Sequence, residues 1–179
     1  ITCHGICNYN KLFLEYCIEG DLFDKQMRTL HYAFNAKQAL SYIYSISKGL
    51  EYIHNKNLIH CDLKPENCLI GSDGIIKIAD FSHCKEYKPF LINNGGTLRY
   101  TAPEVLEKKY INFKIDCWSL GICMYFFITG QFPFIVLNPL KKDDVIKTKK
   151  LIKSGSFSDI IIRNDIEKSH IDILKKIRV

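Results

Sequence analysis

A short polar segment at residues 60–67 concentrates side chains that can do chemistry. It reads HCDLKPEN and holds, in order, the carboxylate of Asp62, the ammonium group of Lys64, the carboxylate of Glu66 and the amide of Asn67. The chain is otherwise rich in apolar residues and lysine, so this density of acidic, basic and amide groups is unusual within it. The segment is therefore the first candidate for a functional site.

A second candidate group follows directly and involves Asn67 again. The sequence NCLIGSDGIIKIADF, residues 67–81, predicts two short strands joined by a turn at residues 71–74. Folding the chain back at that turn brings Asn67, before the first strand, close to Asp80, after the second. Because amide and carboxylate oxygens are ligands of hard cations, we predict a cation site at the open end of this hairpin.

Two helical patterns flank the hairpin and must position it. Asn35, with Gln38 three residues later, predicts the capped start of a helix that runs to about residue 57. The apolar residues that form its buried face recur every three or four positions, at Ala39, Ile43, Ile46, Leu50 and Ile53. The segment DCWSLGICMYFFITG is apolar nearly all round, which predicts a central buried helix that begins at Asp116 and is capped by it.

Weaker patterns place the remaining elements. Residues 11–17, KLFLEYC, predict a buried strand, and a short polar helix is expected near residues 22–29. Residues 82–102 show no strong periodicity and contain a Gly-Gly pair, which predicts a long loop of the kind that usually carries function. Two further helices are expected at about residues 143–154 and 166–177.

The bulk composition narrows the class of protein. The 179 residues are 47% hydrophobic, which fits one domain with a real core. No apolar run is long enough for a membrane span. Most of the eight cysteines stand singly in apolar contexts, so we expect them to be reduced thiols in an intracellular protein of the cytoplasm or nucleus. The net charge of +6 collects partly in the lysines of residues 141–153. We interpret these as a solvated helix face rather than a surface for nucleic acid or an acidic partner.

Four motifs, in their observed order, resemble the catalytic domain of eukaryotic protein kinases. They are HCDLKPEN at residues 60–67, DFS at 80–82, GTLRYTAPE at 96–104 and DCWSLG at 116–121. The resemblance implies a mainly α (α+β) fold, namely the large helical lobe of a kinase with a short β-hairpin at the catalytic cleft. It places the end of the small lobe and the hinge at residues 1–17. A large lobe, truncated at its C-terminal end, would fill residues 18–179, with most of the small lobe absent.

The resemblance also implies an activity and roles for the polar residues. It indicates transfer of the γ-phosphate of ATP to Ser/Thr hydroxyls of protein substrates. Asp62 matches the catalytic base, Lys64 would lie beside the γ-phosphate, and Thr97 matches the threonine that holds both of them over the acceptor site. Asn67 and Asp80 match the residues that hold Mg²⁺, in agreement with the predicted cation site.

The resemblance places the ATP nucleotide between the segment LEYC, residues 14–17, and the hairpin. LEYC is similar to the kinase hinge, with Leu14 guarding the back of the pocket and the backbones of Glu15 and Cys17 bonded to adenine. Asp21 would reach the ribose hydroxyls. Leu69 would pack beneath the adenine ring.

The substrate class is only partly indicated by the motifs. Lys64 and Thr97 favour a serine/threonine kinase over a tyrosine kinase. The sequence from the hinge to ITGQFPF, residues 128–134, is most similar to the calmodulin-dependent-kinase-like group. Glu66 matches a residue that often lies near basic substrate residues, whereas Phe126 stands where strongly basophilic members tend to have Glu. A preference for basic substrates is therefore only weakly indicated. The motifs say nothing about the oligomeric state, which stays open.

The chain departs from the family pattern at three places around the residue that matches the catalytic aspartate. Cys61 replaces an arginine that normally pairs with a phosphate on the activation loop, and Asn93 and Asn94 stand where the phosphorylated residue usually lies. We hypothesise an activity that does not depend on activation-loop phosphorylation. Ser82 replaces a glycine, which should narrow the conformations open to Asp80.

Two alternatives stay open beside the kinase prediction. A pseudokinase, acting as a binding or scaffolding module, is disfavoured because Asp62, Lys64, Asn67 and Asp80 are all present. A small-molecule phosphotransferase of related fold is disfavoured by GTLRYTAPE, which is a peptide-platform signature. The Gly-rich loop and the small-lobe ATP lysine are not among these residues, so we expect little or no activity and limited stability from the 179-residue chain on its own.

Overall fold

The chain forms short strands around the predicted cleft and longer helices behind them. The computed structural model describes residues 1, 3–7, 11–29, 32–134 and 141–155. The strands are β1 (Cys3–Cys7), β2 (Lys11–Leu14), β3 (Leu58–Ile59), β4 (Cys68–Ile70), β5 (Ile76–Ile78) and β6 (Lys85–Glu86). The α-helices are α1 (Leu22–Met27), α2 (Ala36–Asn55), α3 (Pro103–Leu106), α4 (Lys114–Thr129) and α5 (Lys142–Ser154). Single turns of 3₁₀-helix lie at Pro65–Asn67, Phe81–His83 and Leu98–Tyr100.

Helices α2 and α4 pack against each other at the centre of the core. The buried side chains of α2 are Ala39, Ile46, Leu50 and Ile53, which confirms the predicted face, while Ile43 is partly buried against the same core. On α4 every residue from 122 to 129 is buried, as its apolar sequence predicts. Burying a large aliphatic or aromatic side chain stabilises the fold by about 1.5–3 kcal/mol relative to leaving it in water.

Helix α2 fixes the position of the hairpin behind the site. Its start is capped as predicted, because the Asn35 side chain accepts a hydrogen bond from the backbone N–H of Gln38 at 2.9 Å. Further along, Gly49 faces β5 so closely that a Cβ atom there would lie 2.9 Å from Cδ1 of Ile78. A larger residue at position 49 would force the Ile78 side chain to move, so this glycine lets the helix and the hairpin side chain pack closely.

Strands β4 and β5 form the predicted hairpin at the cleft. They are antiparallel, with Cys68 opposite Ile78. Beyond this pair, the backbone N–H of Ala79 donates to the carbonyl of Asn67 at 2.9 Å. The open end of the hairpin therefore brings Asn67 beside the residue that precedes Asp80, as the sequence predicts.

The prediction of a buried strand over residues 11–17 needs correction. Strand β2 ends at Leu14, and the side chains of all its residues are exposed. Within the described residues β2 pairs with β1 alone, and the last pair joins Leu14 to Cys3. The two-stranded sheet formed by the described residues buries neither face of β2.

The segments before and after the central helix differ in how well they match expectation. Residues 82–102, predicted as a loop, contain β6, which pairs with β3, and the 3₁₀ turn at Leu98–Tyr100. The helix predicted at residues 143–154 is confirmed as α5, and the one predicted at residues 166–177 lies outside the described residues. Among the helices that the structure describes, none is long and apolar enough to cross a membrane.

Candidate active site

The carboxylate of Asp62 lies at the centre of a group of hydrogen bonds. Lys64 Nζ donates to Asp62 Oδ2 at 2.9 Å and to Thr97 Oγ1 at 3.0 Å. Thr97 donates to Asp62 Oδ1 from its backbone N–H at 2.8 Å and from its hydroxyl at 2.9 Å. Asp62 is only 6% exposed, so these bonds hold both of its oxygens in a largely water-free place. The structure thus brings together three residues that the sequence selected.

A second buried carboxylate, on α4, holds the segment that carries Asp62. Asp116 Oδ2 accepts the backbone N–H of His60 at 2.9 Å, and Oδ1 accepts that of Cys61 at 2.9 Å. The His54 Nε2 atom lies 2.8 Å from the same Oδ2. The prediction that Asp116 begins and caps its helix is therefore wrong: α4 begins at Lys114, and the Asp116 carboxylate satisfies buried N–H groups of the segment that carries Asp62 instead.

Cys61 occupies a strained position between the histidine and the aspartate. Its φ of 67° lies in the left-handed region that non-glycine residues rarely adopt. Its Sγ donates to the carbonyl of Ile59 at 3.6 Å. Burial, and next the nearby Asp116 carboxylate, raise the pKa of Cys61 to about 12, so the thiol is neutral. The residue therefore behaves as a small buried apolar side chain and carries no charge into the site.

The segment that precedes Thr97 is held by its own side chains and by close backbone packing. Asn93 is 3% exposed, and its side chain accepts from the N–H of Gly95 at 3.2 Å and donates to the carbonyl of Gly95 at 3.4 Å. Gly96 has a φ of 105°, and a Cβ atom there would lie 3.0 Å from the carbonyl oxygen of Cys61. Only glycine fits this conformation and this approach, so Gly96 lets the segment lie against the catalytic loop.

The two predicted cation ligands lie at the open end of the β4–β5 hairpin. Asn67 Nδ2 donates to the carbonyl of Asp62 at 2.9 Å, which engages the amide nitrogen and not the oxygen that a cation would bind. Asp80 is exposed and has a φ of 59°. Within the described residues no group of three or more His, Cys, Asp and Glu side chains is arranged to hold a metal ion. A cation here would share Asn67 and Asp80 with oxygens from a bound ligand or from water.

Ser82 binds Asp80 directly. The hydroxyl and the backbone N–H of Ser82 donate to Asp80 Oδ1 at 2.6 Å and 3.2 Å. These two bonds, the hydroxyl first, lower the pKa of Asp80 and favour its ionised form. The sequence predicted a restriction of Asp80 through the loss of a glycine, but gave no signal for this side-chain bond.

The residues predicted to bind the nucleotide fall in two neighbouring places. Asp21 caps α1 and forms an isolated antiparallel bridge with Leu69 on β4, so these two lie side by side. Leu14 ends β2 and is 43% exposed, and Glu15 and Cys17 follow it in the irregular segment before α1. The backbone of this segment thus runs from β2 towards the hairpin.

Sequence reasoning missed Lys77, which ties the predicted hinge to the hairpin. Its Nζ lies 2.8 Å from Glu15 Oε1 and 3.4 Å from Asp73 Oδ2. The bond to Glu15 is the first cause of a raised pKa at Lys77. In β5, Lys77 lies between the buried residues Ile76 and Ile78, so its side chain points to the opposite face of the strand. This alternation is the sequence signal that could have marked Lys77 as available for an ion pair. Its partner Glu15 comes from a distant element that no local pattern identifies.

Comparison with protein-family models decides the family. Residues 3–178 match the model of the protein kinase domain, which is nearly the whole chain. The chain belongs to the protein kinase family. This confirms the family resemblance, and a mainly helical fold with short strand pairs agrees with the large lobe of such a kinase.

Curated kinases resemble this chain over most of its length. It is 38% identical over 152 residues to a calcium and calcium/calmodulin-dependent serine/threonine-protein kinase of Pisum sativum, covering 82% of this chain and 27% of that protein. It is 41% identical over 164 residues to the serine/threonine-protein kinase Aurora-1 of Arabidopsis thaliana, covering 88% of this chain and 55% of that kinase. An Aurora kinase of Saccharomyces cerevisiae is 38% identical over 125 residues, which are 69% of this chain and 34% of that kinase. The kinase chain described here thus spans between about a quarter and about half of the length of these relatives.

Proposed function

We propose that the protein containing this chain transfers the γ-phosphate of ATP to serine or threonine hydroxyls of protein substrates. The observation that carries the proposal is the shared set of bonds in which Lys64 and Thr97 both contact the buried carboxylate of Asp62. Phosphoryl transfer needs an oriented proton acceptor beside a positive charge, and this set provides both. The names of the pea kinase and of Aurora-1, both serine/threonine kinases, support the same substrate class.

Asp62 is the proposed base, and Lys64 the proposed contact to the transferred phosphate. The carboxylate of Asp62 would orient the incoming hydroxyl and accept its proton, because its bonds to Thr97 prevent it from rotating away. The ammonium group of Lys64 would stabilise the negative charge of the γ-phosphate as a compact point charge. Thr97 would position both groups without reacting itself.

The residues of this chain also fit the ATP and Mg²⁺ that protein kinases generally use. Mg²⁺ is usually held by one or two protein carboxylates or amides together with substrate phosphates and water, and Asn67 and Asp80 provide such a pair. When bound, the ion would supply positive charge to the polyphosphate. The nucleotide itself would lie against Leu14, Glu15, Cys17, Asp21 and Leu69, with the backbone of the β2–α1 segment providing bonds to adenine.

We further propose that the activation segment, which runs from the DFS motif to the end of GTLRYTAPE (residues 80–104), is ordered without phosphorylation. The support is that the Asn93 side chain is buried and bonded to both backbone groups of Gly95. Cys61, which is neutral and buried, could not pair with a phosphate as an arginine would. Treating the protein with a phosphatase should therefore leave its activity unchanged, and a large loss of activity would refute this part of the proposal.

A second candidate function is a binding module that does not transfer phosphate. The observation that favours it is the 2.6 Å bond from the Ser82 hydroxyl to Asp80 Oδ1, which occupies one of the oxygens that Mg²⁺ would need. In this case the protein would bind ATP weakly or without Mg²⁺, and substitutions at Asp62 would change nothing measurable in a transfer assay.

The test is a phosphate-transfer assay on protein expressed from the complete reading frame that contains these residues. Transfer from γ-labelled ATP to serine, threonine and tyrosine peptides and to small hydroxyl compounds is compared for wild type and Asp62→Asn. We expect transfer to serine and threonine peptides and a loss of about 100- to 10,000-fold in Asp62→Asn, the range typical of a lost general base. The chain of 179 residues expressed alone is expected to show little or no transfer.

The matched control is Asp73→Asn, which makes the same chemical change at an exposed turn carboxylate. Asn can still accept the backbone bond that Asp73 takes from Ile75, so the turn should persist. The 3.4 Å ion pair with Lys77 is lost, but Lys77 keeps its shorter bond to Glu15 at 2.8 Å. If Asp62→Asn transfers phosphate as fast as Asp73→Asn, the assignment of Asp62 as the base is wrong. If wild type binds ATP but transfers to none of the acceptors, the binding-module reading holds.

A further inference from the structure

We propose that the protein substrate carries an acidic residue, Asp or Glu, close to its phosphoacceptor hydroxyl, and that this residue is bound by a basic pocket between the activation segment and α5. The proposal rests on the proposed kinase function and names its substrate class. It also changes the interpretation of the lysines in residues 141–153, one of which takes a specific place in this pocket.

The pocket is a cavity of about 470 Å³ beside the catalytic loop. One wall is formed by residues 94–96, and the opposite side by α3 and α5. Its apolar surface comes from Leu98, Val105, Leu106 and Val145, and its charged groups are Lys108 and Lys149. An apolar floor with two cations at the rim suits a short side chain that ends in a carboxylate.

The pocket lies next to the place where the acceptor hydroxyl must sit. Gly96 lines the pocket, and a Cβ atom on Gly96 would be 3.9 Å from Asp62 Oδ1. The next residue, Thr97, donates its backbone N–H to the same oxygen at 2.8 Å. An extended peptide advances about 3.3–3.6 Å per residue, so a substrate residue near the acceptor can enter the pocket.

The cations around the pocket have no acidic partner within the described residues. Neither Lys108 nor Lys149 forms an ion pair with a carboxylate there, whereas the adjacent Lys109 pairs with Glu107 at 2.6 Å. Like charges that line one pocket repel each other, and an anionic ligand would reduce that repulsion. The pocket is thus complementary in charge to an acidic side chain.

Arg99 is a third cation of the same segment, although it does not itself line the pocket. It follows the pocket residue Leu98, and its guanidinium group stacks over the ring of Phe132 at 4.8 Å. Phe132 in turn stacks on Phe126 with ring centroids 4.4 Å apart. Among the residues that the structure describes, an aromatic ring and not a carboxylate holds Arg99 in place, which leaves its charge available to a substrate.

Glu66 is acidic, unlike the lysines of the pocket, so it would favour a basic substrate residue instead of an acidic one. Burial raises the pKa of Glu66, and its Oε2 atom has no hydrogen-bond partner among the described residues. Glu66 does not line the pocket, so a basic substrate residue bound there would occupy a different position along the peptide. A scan of every position separates the two effects.

The experiment is a positional scan with the protein from the complete reading frame. Serine peptides with alanine at all flanking positions receive Asp or Lys at one position at a time, and kcat/KM is measured for each peptide. At one or two positions near the serine we expect Asp to exceed Lys by about five- to tenfold, as two exposed ion pairs would give. The preference should shrink as salt is raised, because these charges are exposed.

Charge reversal at the pocket tests the assignment of the lysines. Lys108→Asp combined with Lys149→Glu should turn the preference at those positions from Asp to Lys. Asp is chosen at position 108 because its φ of 55° is left-handed, a region that Asp tolerates better than most residues. Lys150→Glu is the matched control, since it reverses a charge on α5 outside the pocket. It should leave the preference as in wild type.

Binding of the same peptides, followed by fluorescence anisotropy with the Asp and Lys peptides labelled, separates this inference from the proposed function. Transfer to the all-alanine peptide without any preference for Asp would overturn the pocket assignment and leave the kinase function in place. Equal loss of the Asp preference in the control variant, or a preference for Lys at every position, would also overturn it. If no peptide is phosphorylated, the kinase proposal fails, and tighter binding of the Asp peptide that reverses in the double variant would still support the pocket.

Discussion

Two carboxylates of the site, those of Asp62 and Asp80, are held in contrasting ways. Asp62 is nearly buried, and its bonds to Thr97 join segments 35 residues apart. Asp80 is exposed, and the side-chain bonds described for it come from Ser82, only two residues away. The proposed base, Asp62, is thus fixed by contacts between distant segments, whereas the proposed cation ligand, Asp80, is held by its immediate neighbour.

The contrast shows where the chain has room to vary. A change near Asp62 disturbs packing and bonding across several elements, and should cost both stability and activity. A change near Asp80 disturbs one local turn, and should alter cation binding while the fold persists. We therefore expect substitutions at Ser82 to adjust the properties of the site, and substitutions around Asp62 to abolish the proposed activity.

The largest effect is expected at Asp116, the carboxylate that holds the segment carrying the buried Asp62. Asp116→Ala leaves the backbone N–H groups of His60 and Cys61 buried without an acceptor. We expect it to lower the free energy of unfolding by about 3–5 kcal/mol, the usual cost of removing one member of a buried charged set. Urea unfolding of the protein from the complete reading frame measures this. Asp143→Ala, an exposed acid on α5, should change the value by less than about 0.5 kcal/mol.

The thiol next to Asp62 reports how well the buried side excludes water. Because the pKa of Cys61 is raised from 9.0 to about 12, its thiolate fraction at pH 8 should be about a thousandfold lower than that of an ordinary cysteine. The raised pKa also means that its neutral form adds stability below pH 9, which is lost as the pH rises towards 12. Mass spectrometry after treatment with iodoacetamide should find Cys3, which is exposed, modified long before Cys61. Equal rates at the two cysteines would show that the loop opens to solvent.

A smaller effect is expected from removing a single bond to the base. Thr97→Val deletes the hydroxyl that bridges Asp62 and Lys64 but keeps the size of the side chain. We expect kcat to fall about tenfold, which corresponds to the net contribution of roughly one hydrogen bond to a charged group. Thr97→Ser keeps the hydroxyl and should retain most of the activity. Equal losses in the two variants would mean that packing, and not the bond, matters.

The smallest effect is expected on the exposed side, at Ser82. Ser82→Ala removes the hydroxyl that is the main cause of the lowered pKa of Asp80. The Asp80 carboxylate adds stability above the ordinary Asp pKa of about 3.9 and loses that contribution as the pH falls through its lower folded value. In the variant, the titration midpoint of Asp80, followed by NMR of its carboxyl carbon, should move upward towards the ordinary value. Half-maximal activity should also need less Mg²⁺, because Oδ1 is free.

Ser72→Ala is the control for this titration, since it removes an exposed hydroxyl from the turn of the same hairpin. The Asp80 midpoint should not move in it. If the midpoint is the same in Ser82→Ala and in wild type, the bond seen between Ser82 and Asp80 does not govern the titration. The claim that Asp80 is controlled by its immediate neighbour would then be wrong.

Local signals predicted the elements that position the site. The Asn35–Gln38 pair gave the start of α2, because a capping bond depends on residues three apart. The hairpin followed from its turn residues, and its closure placed Asn67 beside the Ala79–Asp80 segment. Recognition of the family motifs added Thr97, whose contact with Asp62 no periodicity could reveal.

What the sequence could not predict are contacts between distant elements and strained backbone positions. Asp116 was assigned to the start of its own helix because capping is a local rule, whereas its partners lie more than fifty residues away. The left-handed backbone of Cys61 likewise has no signal in residue type, since cysteine rarely adopts this region and only its surroundings make it tolerable.

The close approach at Gly49 has a consequence for a part of the molecule that this residue does not touch. Ile78, the side chain against it, is separated from Asp80 by a single residue. We expect a methyl group added on the rear helix to displace the end of the Ile78 side chain first, because that is the atom it would meet. If the displaced side chain also moves β5, Gly49→Ala will change the Mg²⁺ dependence of the proposed activity, so this dependence would report how firmly the hairpin is held from behind.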